Sequence, residues 1–121
     1  MKRFVIHRHE AEKAGLHHDI RLEYKGVLQS WAIPKLLPQD DKKRLAIKVE
    51  DHSLKWIDME GRIKEGYGKG NVYIFDTGVY YPIFRSDFKI VIGLRGRRIN
   101  EIYTLKLMED NKWLIYKWMD K

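Results

Sequence analysis

Apolar and polar residues alternate along most of this chain, and the alternation predicts strands. In Leu16-His17-His18-Asp19-Ile20-Arg21-Leu22-Glu23, a strand places His17, Asp19, Arg21 and Glu23 on one face. Ile20 and Leu22 fall on the other, with His18 at its edge. Lys25-Gly26 predicts a hairpin turn, with residues 27–33 as the returning strand and Pro34 at its end or edge. Residues 44–50 alternate as clearly: Leu45, Ile47 and Val49 form an apolar face, while Arg44, Lys48, Glu50 and then His52 share the other parity.

The remaining pattern adds short strands. Residues 4–6 open the chain as one, and residues 72–75 and 79–84 predict two more, the second interrupted by Pro82. Residues 88–94, 99–108 and 113–118 read as three closing antiparallel strands, with turns at 96–98 and 109–111. Residues 37–41 form a loop, and residues 61–70, with four glycines, a turn-rich connection without P-loop spacing. One stretch breaks the period. His9-Glu10-Ala11-Glu12-Lys13-Ala14 is rich in helix formers and Gly15 can cap it, which predicts one or two helical turns. Many short strands and one helical candidate point to an all-β barrel or sandwich.

Length and charge narrow the function. The 121 residues suit one domain, and 44% hydrophobic content can fill a moderate core. The absence of cysteine excludes a disulfide framework and a thiolate metal site. No apolar run approaches the roughly 20 residues of a membrane-spanning helix, and the N-terminal residues lack the apolar stretch of a signal peptide. The expectation is a cytoplasmic monomer that does not engage membranes. A net charge of +7 favours a polyanionic partner, nucleic acid first.

The chemistry gathers on the first strand face described. His17 and Asp19 stand side by side and can share a divalent metal, with His9 as a third ligand and His7 as its competitor. Arg21 can grip a phosphate with its planar fork. His52 can donate to a phosphate oxygen or protonate a leaving group, Lys35 and Arg44 can add positive charge, and His18 reads as structural. Two rival readings use the same residues. His17, Asp19 and His52 match the two-His, one-carboxylate set of non-haem iron oxygenases. A non-catalytic module binding nucleic-acid ends would use Trp31, Trp56, Tyr67, Trp113 and Trp118 as stacking surfaces.

These segments resemble a known family. Phe4-Val5-Ile6-His7-Arg8-His9, the run from Leu16 to Glu23, Gly26-Val27-Leu28-Gln29-Ser30-Trp31-Ala32-Ile33-Pro34-Lys35, Arg44-Leu45-Ala46-Ile47-Lys48-Val49-Glu50-Asp51-His52 and Phe75-Asp76-Thr77-Gly78 are similar to the 3′-phosphoesterase domain of bacterial DNA ligase D. The resemblance implies a mainly β fold, a small closed or nearly closed antiparallel β-barrel with one short N-terminal helix, over residues 1–121 as a single domain. It implies a Mn²⁺-dependent hydrolase of end-joining DNA repair, with Zn²⁺ or Co²⁺ as other metals. Such an enzyme acts on DNA or DNA–RNA primer-template 3′ ends beside a separate DNA ligase and end-joining proteins. It removes a 3′-terminal ribonucleoside and then the 3′-phosphate. Implied metal ligands are His9, His17 and Asp19; implied phosphate-binding residues are Arg21, His52, Lys35, Arg44 and Trp56. Two departures stand out. Seven residues separate His9 from His17 where the family has five, and Trp56 replaces a tyrosine.

Overall fold

The computed structural model describes residues 2–119. Among them the chain forms nine strands and one 3₁₀ turn: β1 Lys2–Ala11, β2 Gly15–Tyr24, β3 Val27–Ile33, β4 Arg44–His52, η1 Leu54–Asp58, β5 Gly61–Ile63, β6 Gly70–Arg85, β7 Lys89–Gly96, β8 Ile102–Glu109 and β9 Lys112–Lys117. The sheet runs β1-β2-β3-β4-β9-β8-β7-β6-β5, and β1 pairs with β6 as well, so eight strands close into an antiparallel barrel. Closure leaves β1 through β4 and β6 through β9 no free edge within the ring. β5 hangs on the outer edge of β6.

The expected N-terminal helix is absent. Residues 9–11 continue β1, because pairing with β2 on one side and β6 on the other satisfies both rows of backbone groups. That double ladder outweighs helix propensity, a matter of tenths of a kcal/mol per residue. Glu12, Lys13 and Ala14 form a tight turn, and Gly15, at φ 79°, is the left-handed residue closing a three-residue hairpin. Lys25 and Gly26, at φ 51° and 82°, form the second hairpin where it was expected.

Residues 72–75 and 79–84 belong to one strand, β6. Pro82 does not interrupt it. The β1 ladder ends at Tyr80, so the side on which Pro82 lacks an N–H carries no partner. Along the middle of β1 and β2 the even-numbered residues point inward, where Phe4, Ile6, Ile20 and Leu22 join Trp31, Ile92, Tyr103 and Ile115 in the barrel core. Odd-numbered residues of the same strands point outward. The apolar stripe of β4 also faces outward: Leu45 is 43% exposed, whereas Ala46 lies in the core. Ile47 and Val49 therefore line a surface cleft; the alternation marked an apolar face without saying which way it turns.

Candidate active site

Antiparallel pairing of β1 and β2 sets His9 directly opposite His17, and His7 opposite Asp19. Directly opposed side chains share a face. His7, His9, His17, Asp19 and Arg21 thus form one polar patch on the outer wall, with apolar Val5 on the same face packed against Leu28 and Ile57. The seven-residue spacing preserves this pairing. Relative to five residues it adds one residue to each arm of the hairpin, and the two histidines stay in register.

His9, His17 and Asp19 each turn a ligand atom to one point, all within 4.8 Å of one another. His17 Nε2 lies 3.3 Å from Asp19 Oδ1, and His9 Nδ1 lies 3.5 Å from Asp19 Oδ2. Donors sharing one ion through bonds of about 2.1 Å stand roughly 3.0–3.4 Å apart, so the trio fits a single divalent cation. The outer bonds orient the rings. His9 donates its Nε2–H to the Gly68 carbonyl at 2.6 Å, and His17 Nδ1 faces the Gly15 carbonyl at 3.4 Å. With a metal bound, each ring would keep its proton on this outer nitrogen and turn a lone pair inward, the usual arrangement around metal-binding histidines; without one, the inward nitrogens, when protonated, donate to Asp19.

Asp19 is almost fully buried. Burial pushes its carboxyl upward, but hydrogen bonds from His17 and His9 and the Arg21 charge hold it well below the ordinary carboxylate range. Hydrogen bonding to Asp19 raises His17, more than burial lowers it. The Asp19 carboxylate is thus ionised wherever the protein is folded near neutrality.

Arg21 is the second centre. Its buried guanidinium donates Nε–H to His7 Nδ1 at 3.0 Å and Nη2–H to Asp19 Oδ2 at 3.2 Å. The ring of Trp56 lies against it, with Cζ 5.2 Å from the ring centroid. His7 in turn donates Nε2–H to the Met59 carbonyl at 2.9 Å. Burial and the Arg21 charge push His7 down to about 4, so it is a neutral acceptor for Arg21. His7 is no metal ligand; it holds the arginine.

A register shift in β4 brings His52 opposite Leu28, on the face of Ile47 and Val49. Simple alternation had grouped it with Arg44 and Lys48. Its Nδ1 stands 3.0 Å from the Glu50 carbonyl and 3.3 Å from Arg21 Nη1. One nitrogen cannot donate to the first and accept from the second together. When it accepts from Arg21, Nε2 carries the proton. Burial and Arg21 lower His52, which favours this neutral ring.

Together these residues line a cleft of about 660 Å³, with Ala11, Ala14 and Leu16 on one wall and Ala32, Pro34, Ile47 and Val49 along the floor. Tyr67 and Gly68, from the glycine-rich segment, close one side, and Trp56 from η1 closes another. Lys35 and Arg44 do not join the cluster. With Lys43 they border a neighbouring hollow of about 220 Å³, which shares Pro34 with the cleft. His18 faces away and meets Phe75 edge-on at 5.4 Å, as a structural residue.

Sequence reasoning missed the holding role of His7, the Gly68 carbonyl behind His9, and Leu16 and Tyr67 as cleft walls. For His7 a signal existed. It alternates with His9, and extending the strand period past residue 6 places both on one face. Gly68 and Tyr67 reach the site only through the β5–β6 connection, for which local sequence holds no signal.

The family model for the DNA Ligase D 3′-phosphoesterase domain matches residues 7–106. The multifunctional non-homologous end joining DNA repair protein LigD of Mycobacterium tuberculosis (strain H37Rv) is 41% identical over 120 residues, covering 94% of this chain and 16% of that protein. The LigD proteins of Mycolicibacterium smegmatis and Pseudomonas aeruginosa are 36% and 46% identical, over 98% and 67% of this chain but 17% and 10% of their own lengths. The chain thus spans about a sixth or less of these relatives. With the match running through β1, β2 and β4, which carry the His, Asp and Arg cluster, the chain belongs to the DNA ligase D 3′-phosphoesterase domain family.

Proposed function

We propose that this protein is a metal-dependent 3′-end-healing phosphoesterase of end-joining DNA repair. On this reading it releases a 3′-terminal ribonucleoside and then the remaining 3′-phosphate. One observation carries the reading: a two-histidine, one-aspartate cluster and a buried arginine fork share one cleft, with Asp19 touching both. His9, His17 and Asp19 would hold the metal. Mn²⁺ suits these N and O donors, as do Zn²⁺ and Co²⁺. When bound, the ion supplies charge neutralisation and a more acidic water.

The chain's own residues do the rest. Arg21, held by His7, Asp19 and Trp56, presents its remaining N–H groups to a phosphate. His52, accepting from Arg21 at Nδ1, donates Nε2–H to a phosphate oxygen. Its lowered proton affinity makes it a hydrogen-bond donor in the resting enzyme, and the charge of a bound phosphate is what would raise it enough to act as an acid. Lys35, Arg44 and Lys43 extend positive charge along the strand path beyond Pro34. The partners on this reading are DNA or DNA–RNA primer-template 3′ ends, with a DNA ligase acting afterwards on the healed end.

The cluster has the same donor set as non-haem iron oxygenases, but the oxygenase reading placed His52 among the ligands, and His52 sits on Arg21 instead. Family membership also favours phosphoester chemistry. The test is incubation of a 3′-ribonucleotide-ended primer-template with Mn²⁺. Conversion to a 3′-phosphate and then a 3′-OH end is expected. Binding without product would leave a non-catalytic end-binding module, and 2-oxoglutarate decarboxylation with Fe²⁺ would establish an oxygenase.

A further inference from the structure

A second hollow, of about 420 Å³, opens at the barrel end where the β2–β3 and β6–β7 turns meet. It stands apart from the metal cluster. Tyr24 is five residues beyond Asp19 on β2, roughly 17 Å at 3.3 Å per residue, and the hollow enters the barrel interior rather than its outer wall. Its floor is Trp31, Trp113 and Ile90, all members of the core. Its rim carries Lys25, Lys48 and Arg85 against a single carboxylate, Asp87.

Three features make this a built site. Arg85 is pre-organised: its guanidinium lies 3.5 Å over the Tyr24 ring and donates to Gln29 Oε1. Among the described residues neither Arg85 nor Lys25 has a carboxylate partner, whereas Lys48 pairs with Asp51. Finally, the floor is closed: Trp31 is 0% exposed, with Lys48 Nζ 5.2 Å over its ring, so a ligand in the hollow meets the basic rim above an apolar base. The excess of positive charge is felt locally. Burial acts upward on the Tyr24 hydroxyl, yet Arg85 and Lys25 bring it below the ordinary tyrosine value.

We propose that this hollow is a second phosphate-binding site, which takes a nucleotide phosphate between Arg85 and Lys25, above the tryptophan floor. Arg85 supplies a fork and Lys25 a mobile point charge. The hollow is large enough for a nucleoside monophosphate. The phosphate can come from a free nucleotide or from a nucleic-acid strand whose 3′ end lies in the cleft.

The four tryptophans make the test direct. Trp31 and Trp113 report the hollow, Trp56 reports the cleft, and exposed Trp118 serves as a control. The full-length, metal-free protein is titrated with inorganic phosphate, adenosine 5′-monophosphate and a single-stranded oligonucleotide, following indole N–H resonances by NMR. Saturable shifts at Trp31 and Trp113 are expected. They should weaken about tenfold, the size of one charge-assisted bond, in Arg85→Gln and in Lys25→Asn, which keeps a residue tolerant of positive φ. Equal affinity for the nucleotide and the oligonucleotide marks a free-nucleotide site, and much tighter oligonucleotide binding marks a strand contact. Absence of shifts at Trp31 and Trp113, or titrations unchanged in both folded variants, overturns the proposal. A response at Trp56 alone would do the same while leaving the proposed cleft function untouched.

Discussion

Arg21 donates its Nε–H to His7 Nδ1 at 3.0 Å, and through that bond the strand that carries His9 fixes the guanidinium fork. His7 on β1 and Arg21 on β2 are held by the ladder that also sets His9 against His17. A change in this hairpin therefore reaches the histidine–aspartate cluster and the arginine together.

Replacing Asp19 or His17 with Ala should remove divalent-metal binding and lower phosphoesterase activity by at least about 100-fold, as loss of metal ligands and their partners commonly does. Both side chains lie on the outer wall, so the barrel should persist. Calorimetric Mn²⁺ titration and far-ultraviolet circular dichroism check the two halves. Full activity of Asp19→Ala at low Mn²⁺ would refute the ligand assignment.

Arg21→Lys keeps the charge but loses the Nε–H to His7 and the paired contact on phosphate, and a loss of about 100-fold in kcat/KM is expected. His7 gives a finer test. Gln can accept from Arg21 and donate to the Met59 carbonyl, whereas Leu can do neither. His7→Gln should retain most activity. His7→Leu should lose it mainly in kcat, with metal affinity little changed, because the arginine is misplaced rather than the ligands.

Trp56 meets His52 edge-on at 4.8 Å and lies against Arg21, so its face is already engaged. As a shelf for the proposed phosphate-binding pair, and not a stacking platform for a terminal base, it would act on both substrates alike. Trp56→Tyr should then change the rates on a 3′-ribonucleoside end and on a 3′-phosphate end by similar factors. A selective rise in the 3′-phosphate reaction would assign Trp56 to substrate choice instead.

Outside the cleft lining, Asp76 is buried and accepts from four backbone N–H groups, those of Thr77, Arg97, Arg98 and Ile99, at 2.9–3.2 Å. Asp76→Ala would strand three of these donors in the turn that joins β7 to β8 and the fourth on β6. A loss of about 3 kcal/mol is expected, seen as a fall of roughly 10 °C in Tm. Metal affinity at temperatures where the protein stays folded should be unaffected.

Binding of a DNA primer-template should weaken steadily as salt rises, because a protein of net charge +7 displaces counterions from phosphates. The slope of log Kd against log salt measures how many contacts are made. An affinity indifferent to salt would argue against a nucleic-acid substrate.

Local sequence was sufficient for the strand carrying His17, Asp19 and Arg21, because side-chain alternation has a period of two whatever the sheet's partners. It was sufficient for the Lys25-Gly26 turn, where positive φ is a local demand. It failed at residues 9–14, where helix propensity is weak and a ladder on both sides of β1 is strong. It also failed to orient β4, since an apolar stripe fits a cleft floor as well as a core; only the barrel's closure decided which side is inside. The register shift that turns His52 toward Arg21, and the long connection that brings Gly68 behind His9, are likewise tertiary. The sequence determined which groups share a strand face. Which faces meet, and so which histidines gather around Asp19 and which one holds the arginine, was decided by sheet closure and register, because these depend on pairings between residues far apart in the chain.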